Sequence, residues 1–446
     1  MNEPPGPPDW ETLWLLRRGP LRSFPRALGQ LQAAYGDVVA FRVPWRRFYL
    51  VSDPELIKDI LVTRQHDFGK SHGIAAMRML LGEGLLTSEP PLHRQMRRIV
   101  QPAFHRTRVE SYARTFVERS RAFAPPVDGG SFDMHAAMME LALGIASVTL
   151  FGVDASDTAQ TVGDALRDIM AVFPLALGPL APIRRRLRMP STRRFDRARR
   201  QLDGIVMQLI ERRRGRAVDT GDVLSMLMSA RDDESGFAPD DAQIRDEVMT
   251  LFIAGHETTA NALTWTWYLL AQNPSVASEM RAEIDAVMKR GELGFADVEL
   301  LPYTQRVLRE SLRLYPPAWI VAREALCDVE IGGYRLKKGA SVLMSQLLVH
   351  RSARFYPDPQ CFDPDRWIGV QPPQFAYFPF GGGARRCIGE QFALVEMTLA
   401  LATIAHRYEF ELDPSTVAEM LPIVTLRPKH PIRMHAKPRP PSAAML

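Results

Sequence analysis

"FPFGGGARRCIGE", Phe378 to Glu390, puts three consecutive glycines, two arginines and one of only three cysteines into thirteen residues. The apolar run after it, "QFALVEMTLALATIAHRYEFEL", has the composition of a long helix running into a strand. A glycine turn that ends on a cysteine before a helix admits four readings: a phosphate loop, a reactive thiol, a metal ligand or an ordinary turn. The phosphate loop fails, because G-x-x-x-x-G-K-[ST] needs a lysine followed by a hydroxyl, and here the glycines lead into Ala384-Arg385-Arg386-Cys387. A nucleophilic thiol wants a histidine base, and the neighbouring sequence supplies none.

The ligand reading is chemically coherent. A cysteine at a helix start has free backbone N–H groups and the positive dipole end nearby, both of which favour thiolate. Glycines 381–383 let the backbone wrap the sulfur, Gly389 leaves room for something flat and bulky, and Arg385 can meet an anion on it. One thiolate beside a flat, anionic, bulky group points to haem.

The rest of the chain limits the alternatives. With 446 residues, 46% hydrophobic and 24% charged, it is an ordinary globular composition with ample material for a core. A net charge of +5 is too weak to argue for nucleic acid. Thirteen arginines between Arg184 and Arg216 face only Asp196, Asp203 and Glu211; this reads as a solvated helix face, with an acidic partner or lipid surface as the other reading. Cys327, Cys361 and Cys387 form no C-x-x-C pair, so neither a disulfide framework nor a zinc site is indicated, and a reducing cytoplasm fits. The N-terminus lacks the pattern of a signal peptide. "IMAVFPLALGPLAPI" (Ile169–Ile183) carries three prolines and suits a bent loop. Val248–Leu270 is long enough to span a bilayer, yet His256, Glu257 and Asn261 fall near its middle, where lipid would penalise them most. It reads as a helix about 35 Å long through a large core, and no transmembrane anchor is expected.

Proline-rich tails mark about residues 1–20 and 432–446. Asp37–Asp53 reads as a β-hairpin, Pro54 to Arg313 as mostly helical, and Asp328–Met344 as a β region turning at Gly332-Gly333. An irregular stretch, Arg351 to Gly383, precedes the cysteine loop. The expectation is one mainly helical domain with small sheets.

Three further stretches carry chemistry. "AGHETT" (Ala254–Thr259) lacks the second histidine of H-E-x-x-H, since Ala260 stands there, so it is no zincin site. An acid, a glycine and two threonines in mid-helix are poor choices for packing alone; the threonine can bond back to a carbonyl one turn earlier, and the glycine lets the backbone open. In "RESLRLYPP", Glu310 and Arg313 share one helical face. In "HRQMR", His93 and Arg97 do the same.

Phe380, Gly383, Arg385, Cys387 and Gly389 match F-x-x-G-x-R-x-C-x-G, and on these residues the chain resembles the cytochrome P-450 monooxygenases. The resemblance extends from about Tyr35 to Pro431 with the motifs in family order. It implies the cytochrome P-450 fold, a single large helical domain with a long central helix over haem b. Cys387 is then the axial thiolate and metal ligand, Phe380 its shield, and Arg385 the partner of a haem propionate, with Gly389 beside the haem. His93, Arg97 and Arg323 (in "VAREA") stand at the other propionate positions; the first of these is often tryptophan in the family. Ala254 and Gly255 line an oxygen pocket, while Glu257 and Thr258 relay protons. Glu310, Arg313 and Arg366 (in "FDPDRW") form a structural network behind the thiolate loop, and His350 reads as a satisfied structural histidine.

The implied activity is a haem-thiolate monooxygenase that inserts one oxygen atom of O2 into a lipophilic fatty-acid, terpenoid or steroid-like molecule. The pocket should draw on His72–Leu86, Ile169–Ile183, Leu251, Ala254 and Thr258, Ala318–Val321 including Trp319 and Ile320, and the turn around Val424. No flavin or iron–sulfur domain follows the haem region, so electrons must come from outside, from NAD(P)H through a ferredoxin reductase and ferredoxin, with the enzyme acting as a cytoplasmic monomer. Arg94, Arg98 and Arg386 are candidates for a basic docking patch. A hydrogen-peroxide-driven peroxygenase is the rival enzyme reading; Glu257 and Thr258 count against it, because such a site needs no relay. A haem-binding sensor or carrier without catalysis is the rival from another class.

Overall fold

A computed structural model describes residues 3–8, 24–43, 46–153, 161–165, 168–169, 172, 183, 186–187, 189–215, 222–232, 234–369 and 371–440. Most of Ile169–Ile183 and several of the arginines between 184 and 216 lie outside these residues. The main described helices, in chain order, are α1 (Phe24–Tyr35), α2 (Leu92–Val100), α3 (Arg106–Ala122), α4 (Met134–Phe151), α5 (Pro190–Arg214), α6 (Asp241–Gln272), α7 (Pro274–Met288), α8 (Pro302–Leu314) and α9 (Glu390–Arg407).

Helix α6 is the axis of the molecule. Asp240 starts it by accepting the backbone N–H of Gln243 at 2.8 Å, and its 32 residues run for about 48 Å. Most of its side chains are buried, and it packs chiefly on α4. Helix α4 is apolar and long enough to cross a bilayer by length and composition, yet 61% of it is buried inside the protein. In α5 the buried residues Phe195, Ala198, Leu202, Val206 and Ile210 form one stripe. Among its arginines, Arg194, Arg199, Arg213 and Arg214 pair with Asp168, Asp203, Asp222 and Asp241.

Two β regions frame the helices. The hairpin of β1 (Val38–Val43) and β2 (Arg46–Val51) pairs Val38 with Val51. It joins a five-stranded sheet ordered β1-β2-β8-β5-β3, with β3 at Phe68–Lys70, β5 at Val321–Ala325 and β8 at Ser341–Met344. Residues 3–8 run along the outer strand: Ala40 N donates to Pro5 O at 2.9 Å, Glu3 takes Arg47, and a Cβ on Gly6 would strike Ala40 O at 1.7 Å. Strands β6 (Val329–Ile331) and β7 (Tyr334–Leu336) turn through Gly332 and Gly333, both at positive φ. The C-terminal stretch is no tail at its start. Arg433–Pro438 forms β12, the middle strand between β4 (Ser131–Asp133) and β9 (Tyr408–Leu412), because Ile432, Met434 and Ala436 alternate inward.

Glu310 lies at the centre of a buried ionic network. Glu310 and Arg313 are both fully buried and make two bonds of 2.8 Å; Arg366 reaches Glu310 at 2.9 Å, and Trp367 Nε1 donates to it at 3.1 Å. Arg313 also donates to the carbonyls of His350 and Pro359 at 2.8 Å. The His350 ring then accepts the backbone N–H of Phe378 at 2.9 Å. A fixed chain of bonds therefore runs from the ion pair to the first residue of the cysteine loop.

Glu310→Ala strands two buried guanidinium groups and should cost about 3–5 kcal/mol, read as a lower urea midpoint. His350 is fully buried, which with the nearby Arg313 pushes its imidazole from 6.5 down to about 3. Between those values the unfolded chain binds a proton that the folded residue refuses. Stability should therefore fall with falling pH by about 1.4 kcal/mol per unit from this residue. The urea-derived stability of His350→Phe should show a flatter pH slope there.

Candidate active site

The cysteine loop is shaped by what it packs against. Gly381 and Gly383 take φ of +72° and +67°, which disfavours any side chain. A Cβ on Gly383 would lie 1.8 Å from Leu61 O, and one on Gly382 2.4 Å from the Phe375 ring. Ala384 N donates to Gln65 Oε1 at 2.8 Å. Gly383 thus permits close approach to the segment 59–65, and Gly382 to the Phe375 ring. Cys387 N closes the loop on Phe380 O at 2.9 Å. Burial pushes the Cys387 thiol up to about 11, against the pull of the Gly389 backbone N–H, Arg97 and Arg386. The residue nonetheless has open surface. Both hold if Cys387 faces an interior chamber and not bulk water. A metal cation there would displace the proton.

A second side chain with open surface lies on the central helix. Ala254 is exposed although it lies in the middle of buried α6. Thr258, one turn later, donates Oγ1–H to Ala254 O at 2.7 Å. Gly255 points elsewhere: a Cβ there would touch Leu150 and Ala146 of α4 at 3.5 and 3.8 Å, so of the pair only Ala254 is exposed. Glu257 is buried, and its Oε1 accepts from Thr425 Oγ1 at 2.6 Å and Arg427 Nη2 at 2.7 Å. Helices α6 and α9 meet where Thr259 Oγ1 lies 3.4 Å from Glu396 Oε2, and burial raises that carboxyl well above its usual range.

The third feature is a buried knot of positive charge. In β3–β5 pairing Lys70 stands directly opposite Arg323, and like charges so placed repel. Burial first, then Arg385 and Arg323, bring the Lys70 ammonium down to about 6. Burial and Arg385 bring Arg323 down to about 10, and burial with Arg385, Lys70, Arg97 and Arg323 takes His93 to about 3. Glu89 offsets part of this through Arg385 and the Lys70 backbone N–H. Lys70, His93, Arg97, Arg323 and Arg385 thus gather positive charge that could hold the acid groups of a haem. Lys70 had no sequence signal; only the strand register brings it in.

Other expectations fare unevenly. Leu251 is buried on the Ala254 side of α6, Ile320 and Val424 are half-buried, and Ala318 is exposed. Trp319 is instead packed against Phe24 in a separate core cluster, with its Nε1 on Ile423 O at 3.3 Å. In "AAMRMLL", Met77, Leu80 and Leu81 are core residues. The proposed docking arginines are not free charges: Arg94 and Arg98 pair with Glu234, Arg98 also with Asp232, and Arg386 with Glu390.

The Cytochrome P450 family model matches residues 4–435. The chain belongs to the cytochrome P450 family. It is 38% identical over 414 residues to "Cyclooctatin synthase" of Streptomyces melanosporofaciens, covering 91% of this chain and 90% of that protein. It is 36% identical over 390 residues to "Cyclooctat-9-en-7-ol 5-monooxygenase" of the same organism, covering 86% and 84%. To "Pentalenene oxygenase" of Streptomyces avermitilis it is 33% identical over 432 residues, covering 95% and 94%. As a cytochrome P450 it is an oxidoreductase of the monooxygenase type that carries haem iron on a cysteine thiolate, uses O2, takes a lipophilic substrate and draws electrons from an external redox partner.

Lys70→Leu removes one cation from the cluster together with its bonds to the Leu85 and Leu86 carbonyls. The apoprotein should change in stability by no more than about 1 kcal/mol, while haem transfer to an acceptor apoglobin should speed up about 10-fold, or about 1.4 kcal/mol.

Proposed function

We propose that Cys387 is the haem thiolate of a single-domain monooxygenase that oxidises a terpenoid, with Thr258 and Glu257 as its proton relay. The observation that carries the reading is that Cys387, three residues before α9, and Ala254, in mid-α6, both keep open surface on two helical elements that pack together, with Arg97 of the cation cluster close enough to act on the thiol. Bound haem supplies the activation of O2. Arg97, Arg323, Arg385, Lys70 and His93 hold its acid groups, Phe380 covers the sulfur, and Gly389 keeps the helix start clear.

The chain's own work is to manage protons and exclude water. Thr258 commits its hydroxyl hydrogen to Ala254 O, so its oxygen presents lone pairs that can hold a water. Glu257 lies next to it in sequence. Burial resists its ionisation, yet Arg427, Thr425 and His256 together hold its carboxyl below the usual range, so it stays an acceptor of protons. Leu251, Ile320 and Val424 supply apolar surface for the substrate. The terpenoid class is supported by relatives whose names are those of oxygenases acting on cyclooctat-9-en-7-ol and pentalenene. A ferredoxin is the proposed electron donor, the enzyme working as a monomer, and a cytoplasmic setting fits its three free cysteines.

Three measurements test this. The reduced, carbon-monoxide-bound protein should show a thiolate-type Soret band that Cys387→Ala abolishes; its survival in that variant removes Cys387 as ligand. Thr258→Ala should retain haem and substrate binding but lose about 10-fold or more of product per electron, with peroxide or water formed instead. A panel of cyclic sesquiterpenes, diterpenes, a steroid and dodecanoic acid should give its largest spin-state shift with a terpene. Turnover supported by hydrogen peroxide but by no electron donor would favour the peroxygenase reading.

A further inference from the structure

One stripe of the central helix is devoted to a single hairpin. Strands β10 (Met420–Pro422) and β11 (Leu426–Pro428) form it, and Glu257, Asn261 and Trp265, spaced four residues apart, all face it. Trp265 Nε1 donates to Leu426 O at 3.0 Å, Asn261 Nδ2 to Thr425 Oγ1 at 3.3 Å, and Thr425 Oγ1 to Glu257 Oε1 at 2.6 Å. Behind Asn261, His135 Nε2 lies 3.0 Å from its Oδ1. Arg427 adds a second bond to the same Glu257 Oε1. Among the described residues, Oε2 takes no hydrogen bond. The two oxygens of one carboxylate are therefore used differently: one is anchored by two donors, and the other by none.

We propose that Arg427 and Thr425 are positioning residues for proton delivery, clamping Glu257 through Oε1 so that Oε2 stays free to take a proton and pass it toward Thr258. The proposal rests on the relay reading given above. Each turnover consumes one O2, two electrons from the redox partner and two protons. One oxygen atom enters the product and the other leaves as water. The clamped carboxylate takes each proton from solvent at Oε2, releases it, and is unchanged at the end.

Charge and burial support the geometry. The charged and titratable groups around Glu257 are Arg427 from β11, His256 beside it in α6, and His135 with Asp133 at the start of α4. Burial keeps both imidazoles below their usual range, so Arg427 is the cation that opposes the burial of Glu257. Without it, burial favours the protonated acid. That acid should then require a higher pH before Oε2 can accept a proton. Both clamping residues sit within three positions of Val424, so the element that holds the carboxylate also forms pocket wall.

The test compares Arg427→Met, Arg427→Lys, Thr425→Val and Glu257→Gln holoenzymes, using the panel terpene with the largest spin-state shift as probe. Arg427→Met should keep the thiolate-type carbon-monoxide spectrum and bind the probe within about 3-fold of the parent. Its product per electron should drop about 5-fold at pH 7 and recover as pH rises, and Thr425→Val should show a smaller loss of the same kind. Arg427→Lys should restore the parent profile. By infrared, Arg427→Met should gain a carboxylic-acid C=O band that vanishes when Glu257→Gln is added. Parent-level coupling across pH in Arg427→Met, alongside an uncoupled Glu257→Gln, overturns the clamp and leaves the relay standing. A coupled Glu257→Gln removes the relay itself. A loss in Arg427→Met that tracks probe affinity, ignores pH and is not rescued by lysine assigns Arg427 to structure alone.

Discussion

Glu310 has no exposed surface, and its carboxylate accepts from Arg313, Arg366, the Trp367 indole and the Asp363 backbone N–H. A charge so buried is tolerable only when every lone pair is used. Meeting that condition forces α8 and the irregular stretch 357–367 into one arrangement. Arg313 spends its remaining donors on the carbonyls of His350, Pro359 and Cys361. His350, kept neutral by burial, can then serve as an acceptor for Phe378 N. The cysteine loop thus inherits its position from an ion pair that has no part in the chemistry.

Elsewhere the interior separates its charges by task. Cations crowd around Lys70 and Arg323, where burial first, and then their mutual repulsion, lowers the protonation of both and of His93. The buried acid near that cluster, Glu247, is pushed up to about 8 chiefly by burial, and neither of its oxygens closes a hydrogen bond even though the Leu85 backbone N–H and Lys70 are close. Glu396 is likewise driven toward its neutral form. Only Glu257, with Arg427 and Thr425 on one oxygen, is held ionised in the middle of the helix. Two carboxylates ten residues apart on α6 are thus held in opposite protonation states.

Much of this was legible from local pattern. The family signature in Phe380–Gly389, the Glu310–Arg313 spacing, the β1–β2 hairpin and the helix–strand run after Cys387 are short-range features, legible because their partners are close in sequence. What escaped depends on contacts far apart in the chain. Lys70 faces Arg323 across 253 positions of sequence only because β3 pairs with β5. Arg427 reaches Glu257 from a hairpin 170 residues away. The acids that neutralise Arg94 and Arg98 come from the loop before α6, so a patch judged from arginine spacing alone overstates its field. Arg433–Pro438 was hidden by its proline-rich surroundings, though Ile432, Met434 and Ala436 carry a strand's alternation.

The first residues of the chain lie against β1 as a short cover strip. Pro4 and Pro7 are buried there, and Pro5 supplies a carbonyl to the outermost strand. An uncovered strand edge is a template for pairing with another molecule. Prolines offer no N–H to extend the ladder further, so the strip both occupies the edge and ends it. Shortening the N-terminus by eight residues, or pulling it away with a fused tag, would remove that guard and favour self-association during expression without touching the site itself.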